Sequence, residues 1–249
     1  MRIQLLDHGY LESVEAWGTG KSGIGHMVDT GIGEMWKPED YEVGIIEAAR
    51  QSTQAAFRGW EFDSKLLGHL YNHRHNTPFE FAGMTIEVRA PIMVFREWQR
   101  HRTQSYNEAS ARYSPLPPDD YLPTFDRIMM GAAATTNKQA QGVNNALNET
   151  NAHLGRQMLH EHYARTEALY EQLLNFGWPK ELARLPLSVG RYSTMRATCN
   201  LRNWLAFMTL RCDPQAQWEI RMYADKVAEL IATNFPQTHA MWSQEFYGQ

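Results

Sequence analysis

Residues 96–113 read REWQRHRTQSYNEASARY. Arg96, Arg100, Arg102 and Arg112 share this stretch with His101, Asn107 and the hydroxyls of Ser105, Ser110 and Tyr113, against two carboxylates, Glu97 and Glu108. A guanidinium stays charged and offers a planar fork of donors that matches phosphate or carboxylate bidentately. Cations in local excess repel one another unless an anion lies among them. Small Ser110 and Ala111 beside Arg112 let backbone N–H groups approach a phosphate closely. The spacing therefore suits a phosphorylated ligand. A solvated, salt-bridged helix end is the plain alternative for an arginine cluster, and the shortage of local glutamates weighs against it.

A second set gathers Arg184, Arg191, Arg196, Arg202 and Arg211 around Asn200. On one helix Arg202 and Arg211 stand about 13 Å apart at ~1.5 Å per residue, enough to grip two ends of one ligand or two ligands. The plain alternative for Arg211 is a cation complementing a helix C-terminus. His73 and His75 in HRHNTPFE diverge on a turn and fall short of a four-ligand set, so no metal is expected. The Gly20-Lys21-Ser22 triplet suggests a phosphate loop, but that loop needs glycine five positions before Gly20, where Glu15 stands. Cys199 and Cys212 lack a neighbouring histidine, and Cys212 falls at a helix C-terminus that disfavours thiolate; both are expected to be inert.

The elements that must position these groups follow from periodicity. Residues 1–6 read as a short strand, and 39–57 as a helix through Val43, Ile46 and Ala49. Met84, Ile86 and Val88 alternate with Thr85, Glu87 and Arg89, as in a half-buried strand. Pro91 opens a helix that carries Arg96 and Arg100 on one face and fades near Arg102, leaving the rest of the stretch as loop. Residues 155–175 form a long helix ended by Gly177 and Pro179. Asn200 caps NLRNWLAFMTL. Asp213 and Pro214 open a last helix whose apolar face is Ala216, Ile220, Tyr223, Val227 and Ile231. The glycine-rich 18–38 reads as surface loop, and 114–152, with four prolines and then polar low complexity, as an insertion.

Composition bounds the rest. The 249 residues are 43% apolar, enough for one packed domain over 1–249. A net charge of −4 argues against a general nucleic-acid binder, while 18 Arg against 6 Lys favours planar anion recognition. The N-terminus lacks the apolar core of a secretory signal, and no apolar run of about 18 residues exists, so a cytoplasmic protein without membrane spans is expected.

RHRTQSYNEASAR, Arg100 to Arg112, resembles the RHR-x-x-S-x-x-x-x-S-x-R signature of flavin-dependent thymidylate synthases at its six fixed residues. LLDHGY, HNTPFEF, APIMVFREW, ARLPL, NLRNWLAFMTLR and AQWEI resemble family blocks in the expected order; the departures lie near 18–38 and 130–152. The resemblance implies an α+β fold, a mixed or antiparallel sheet packed by long helices, assembled as a homotetramer. It implies conversion of dUMP to dTMP with methylenetetrahydrofolate as carbon donor, NADPH as reductant and FAD between them. FAD contacts would fall on Thr77, Arg100, His101, Arg102, Glu108, Asn200, Leu201, Arg202 and Ala206. Contacts to dUMP would fall on Glu97, Trp98, Gln99, Arg100, Glu108, Ala109, Ser110, Ala111, Arg112, Arg184 and Arg211, with Arg211 as the activating group. Lacking a suitable cysteine, the chain would activate the ring electrostatically. Ser110, with no adjacent base, reads as a phosphate ligand. Two alternatives stand beside this: the same fold hydroxymethylating a pyrimidine nucleotide, or an arginine-rich single-strand binder with aromatic stacking platforms.

Overall fold

The computed structural model describes residues 2–29, 34–38, 40–133, 139–140 and 147–248. Its centre is a five-stranded antiparallel sheet in the order β1 (Arg2–Leu5), β2 (Gly9–Trp17), β5 (Gly83–Pro91), β7 (Tyr192–Asn200), β6 (Ser105–Glu108). The alternation expected at 84–88 is realised: Met84, Ile86, Val88 and Ala90 are fully buried, while Thr85, Glu87 and Arg89 turn to the other face. Met195, Ala197 and Cys199 of β7 join them on the core face. A one-residue slip would move each set to the wrong side, so this pattern excludes it; Met84 pairs with Cys199. Sheet and helix residues share one core, and each large apolar side chain buried there stabilises by about 1.5–3 kcal/mol.

The helices covering that face are α1 (Val43–Ala49), α2 (Trp60–Asn72), α3 (Ile92–Trp98), α7 (Leu201–Arg211), α8 (Trp218–Asn234) and α9 (Pro236–Tyr247). Helices α4 (Phe125–Ala133), α5 (Glu149–Asn175) and α6 (Lys180–Ala183) lie in the other long connection. Helix α5 starts earlier than expected because Asn148 accepts a hydrogen bond from the Asn151 amide, and its C-terminal stop is Gly177 at φ 80°. Asn200 caps α7 as expected, its Oδ1 accepting from the Asn203 amide at 3.0 Å.

Several expectations are corrected. The stretch 18–38 is not plain loop: β3 (Gly25–Asp29) and β4 (Glu34–Pro38) pair as a separate antiparallel ribbon. Three of the five β3 side chains are exposed and none is buried, so no buried face imprints a two-residue period. The helix expected over 39–57 spans only α1, followed by a 3₁₀ turn at Gln51–Thr53. Helix α3 stops at Trp98, so Arg96 and Arg100 do not share a helix face. The reason is tertiary: Arg211 takes the Glu97 carbonyl, and the Tyr106 hydroxyl donates to the carbonyls of Trp98 and His101. The loop expected after Arg102 contains edge strand β6. Asp213 does not cap α8; it accepts from the Gln215 amide in a turn, α8 starts at Trp218, and Ala216 precedes it. Ile220, Tyr223, Val227 and Ile231 are fully buried as expected. Helix α8 is not the last, since α9 follows. Within the expected insertion, α4 docks on α8 through Arg127, whose Nε donates to Glu219 at 2.8 Å. Residues 30–33, 134–138 and 141–146 of the expected insertions lie outside the described residues.

Candidate active site

Helix α3 and helix α7 bring Glu97, His101 and Arg211 together. Arg211, the last residue of α7, is 9% exposed. Its Nε donates to His101 Nε2 at 3.0 Å, Nη1 to Glu97 Oε2 at 2.9 Å and Nη2 to the Glu97 carbonyl at 2.8 Å. Three hydrogen bonds thus fix the position of the guanidinium. His101 packs edge-on against Phe207. Burial, and then the Arg211 charge against the weaker opposing pull of Glu97, lowers its pKa to about 4. The imidazole is therefore neutral near pH 7 and able to accept from Arg211.

Glu97, Arg100 and Arg211 line a cavity of about 1000 Å³ with Arg127, Trp218 and Arg221. A second cavity, about 720 Å³, lies along the same helix α7 and is lined by Arg202, Leu205 and Ala206 with Tyr71, Trp242 and Phe246. Arg202 ion-pairs with Glu80, and Thr77 stands exposed at the start of the adjoining 3₁₀ turn Thr77–Phe81. Arg202 and Arg211 lie near opposite ends of α7, one on each cavity.

The other named residues sit as follows. Arg100 and Arg102 are exposed and make no ion pair among the described residues. Gln99 Nε2 donates to Glu108 at 3.2 Å. Ala109 donates its amide to the Thr194 carbonyl, and Ala111 is buried. The Arg112 amide reaches Ser110 Oγ at 3.4 Å, and its exposed guanidinium lies 3.5 Å from Glu181. Arg184 is half-buried at the end of α6. Ser110, Arg112 and Arg184 line neither cavity. Trp98 and Leu201 are core residues: Trp98 stacks near Phe207 and donates to Gln104, and the Leu201 amide donates to the Ala82 carbonyl.

Of the second arginine set, Arg191 is fully buried, paired with Asp120 at 3.1 Å and with Glu167, and so is structural. Arg196 pairs with Glu87 on the open sheet face. The Gly20-Lys21-Ser22 turn does cradle an anion, but an internal one: Gly20 at φ 63° lets the amides of Lys21 and Ser22 donate to the Glu47 carboxylate at 2.6 and 2.9 Å. No group of three metal-ligating side chains forms among the described residues. Burial pushes the Cys212 thiol up to about 12 and the Cys199 thiol higher still, so neither is a ready thiolate. Sequence reasoning missed Tyr106, Gln104 and the aromatic wall Trp242 and Phe246; Tyr106 and Gln104 lie inside the signature stretch, and α9 carried no signal beyond Pro236 at its first turn.

The residues suit a flavin dinucleotide: uncommitted Arg100 and Arg102 offer charge to phosphates, and an aromatic-lined cavity adjoins Arg202.

Comparison with known proteins gives the family. Residues 35–237 match the family model described as thymidylate synthase complementing protein. The flavin-dependent thymidylate synthase of Gluconobacter oxydans is 34% identical over 97% of this chain and 72% of its own length. That of Thermotoga neapolitana is 32% identical over 99% and 96%. Among solved structures, the UMP/dUMP methylase PolB of Streptomyces cacaoi bound with 5-Br dUMP superposes at TM-score 0.76 with 28% identity, covering 98% of both chains. Its complex with 5-Br UMP gives 0.75 over 98% of this chain and 97% of that one. The chain belongs to the thymidylate synthase complementing protein family.

Proposed function

We propose that the chain is a flavin-dependent thymidylate synthase that methylates dUMP to dTMP, with methylenetetrahydrofolate as carbon donor and NADPH as reductant. The observation that carries this is the Arg211 guanidinium, fixed by Glu97 and neutral His101 on the wall of a nucleotide-sized cavity. Methylating C5 of a uracil requires that carbon to act as nucleophile, and the two cysteines are too buried and too firmly protonated to activate the ring by addition. A preorganised cation beside N3 and the carbonyl oxygens stabilises the charge that develops there. Arg211 does this without titrating. Arg100 and Arg202 suit the phosphates of FAD, with His101 and Asn200 beside them; FAD, when bound, supplies the hydride chemistry.

The Ser110–Arg112 loop, with Arg184, suits the dUMP phosphate. These residues line neither cavity along α7, which supports a site completed by a second copy of the chain within a homotetramer. Light scattering tests that assembly: a fully active monomer contradicts it. The activity test is product analysis. Protein loaded with FAD and given dUMP, methylenetetrahydrofolate and NADPH yields dTMP; a protein that stays colourless with FAD, or that yields hydroxymethyl-dUMP instead, contradicts the proposal. UMP belongs in the same assay, because the structural neighbours are described as UMP/dUMP methylases.

A further inference from the structure

The wall of the larger cavity has donors and an acceptor left over. A guanidinium carries five N–H donors, and Arg211 spends three of them on His101 and Glu97, leaving two. Glu97 gives Oε2 and its main-chain carbonyl to Arg211, while Oε1 has no hydrogen-bond partner among the described residues. The Glu97 side chain is 38% exposed, against 11% for Arg211, and both line the cavity. His101 is committed as an acceptor through Nε2. The wall therefore shows a charged acceptor directly beside a charged donor.

We propose that Glu97 is the base-reading residue of this site and that its free oxygen lets the cavity take cytosine nucleotides as well as uracil nucleotides. The inference rests on the reading that a pyrimidine lies against Arg211. A carboxylate only accepts. Uracil meets the pair with N3–H on Glu97 Oε1 and O2 on Arg211. Cytosine meets it one ring position over, with its N4 amino group on Glu97 and unprotonated N3 on Arg211. Acceptance from the cytosine amino group by a carboxylate is a recurrent pairing in base recognition. A glutamine at 97 would behave differently. Its amide oxygen is drawn to Arg211 Nη1, which turns the amide NH₂ to the cavity. That donor opposes N3–H of uracil and the N4 amino group of cytosine alike.

Calorimetric titration of the FAD-loaded protein with dUMP and dCMP tests this. The expected result is a Kd for dCMP within about tenfold of that for dUMP. N4,N4-dimethyl-dCMP, which has no N4–H, should bind at least about tenfold more weakly than dCMP, a comparison that needs no variant. In Glu97→Gln, with its fold checked by melting, dCMP and dUMP should both weaken at least about tenfold, and a change of less than about threefold in both overturns the inference. Binding of dUMP without dCMP at about a hundred times the dUMP Kd overturns this inference alone. So does equal binding of dCMP and its dimethyl form. No binding of dUMP overturns the underlying reading as well.

Discussion

Two parts of the arginine-rich stretch are held in opposite ways. The Glu97–His101 end locks Arg211 through three hydrogen bonds of 2.8–3.0 Å in a half-buried setting. The Ser110–Arg112 end keeps Ala111 buried as an anchor but leaves the Arg112 guanidinium exposed, 3.5 Å from an equally exposed Glu181. The difference separates two kinds of cation. A group that stabilises charge developing on a ring must be fixed before the reaction, because reorganising it would cost free energy in the transition state. A group that grips a phosphate does so equally in ground and transition states, so it tolerates an open position until ligand arrives.

The sharpest way to break the comparison is to remove each cation. Arg211→Ala should lower kcat by roughly two to three powers of ten, the range for losing one preorganised donor, with smaller change in KM for dUMP. Steady-state kinetics in dUMP, with bound flavin checked by absorbance, reads this. Arg112→Ala should instead raise KM by roughly ten- to a hundredfold, as for losing a hydrogen bond to a charged group, and spare kcat. If the two variants exchange these effects, the assignments are reversed.

Acidity probes the same lock more gently. His101 is held below its ordinary value, so the folded state favours the neutral ring. The stability this contributes is present above about pH 6.5 and is lost as pH falls toward about 4, where the folded ring protonates. A protonated ring cannot accept from Arg211, so kcat should fall on the acid side near pH 4 rather than near 6.5. An acid limb centred near 6.5 would show that His101 is not shielded. The smallest effect is expected at the cysteines. Cys199→Ala with Cys212→Ala should keep kcat within about threefold, since both are buried and behave as small apolar side chains. A loss of about a thousandfold in the folded variant would restore a covalent thiol mechanism.

How much was legible in the sequence follows the reach of each interaction. The Asn200 cap of α7 and the 84–88 strand were legible because their causes lie within a few residues. The end of α3 was not, because the carbonyls that a longer helix would use are taken by Tyr106 and by Arg211 on another element. Strand β6 has polar, exposed residues at Ser105 and Asn107, so only its pairing with β7 identifies it. Arg191 and Arg211 look alike in sequence. Asp120 and Glu167, distant along the chain, fix one in the interior, while the other opens on a cavity. The Gly20–Ser22 triplet was set aside on spacing alone; that Glu47, 25 residues on from Ser22, accepts from its amides shows only in the fold.

The central claim is that Arg211 acts through its fixed geometry and not through charge alone. Arg211→Lys isolates that, since lysine keeps the charge but cannot span His101 Nε2 and both Glu97 oxygens. Steady-state kinetics in dUMP should show kcat lowered by at least roughly a hundredfold, with flavin bound and its reduction by NADPH unchanged. A kcat within about threefold of the unsubstituted enzyme, at full flavin occupancy, would contradict the account.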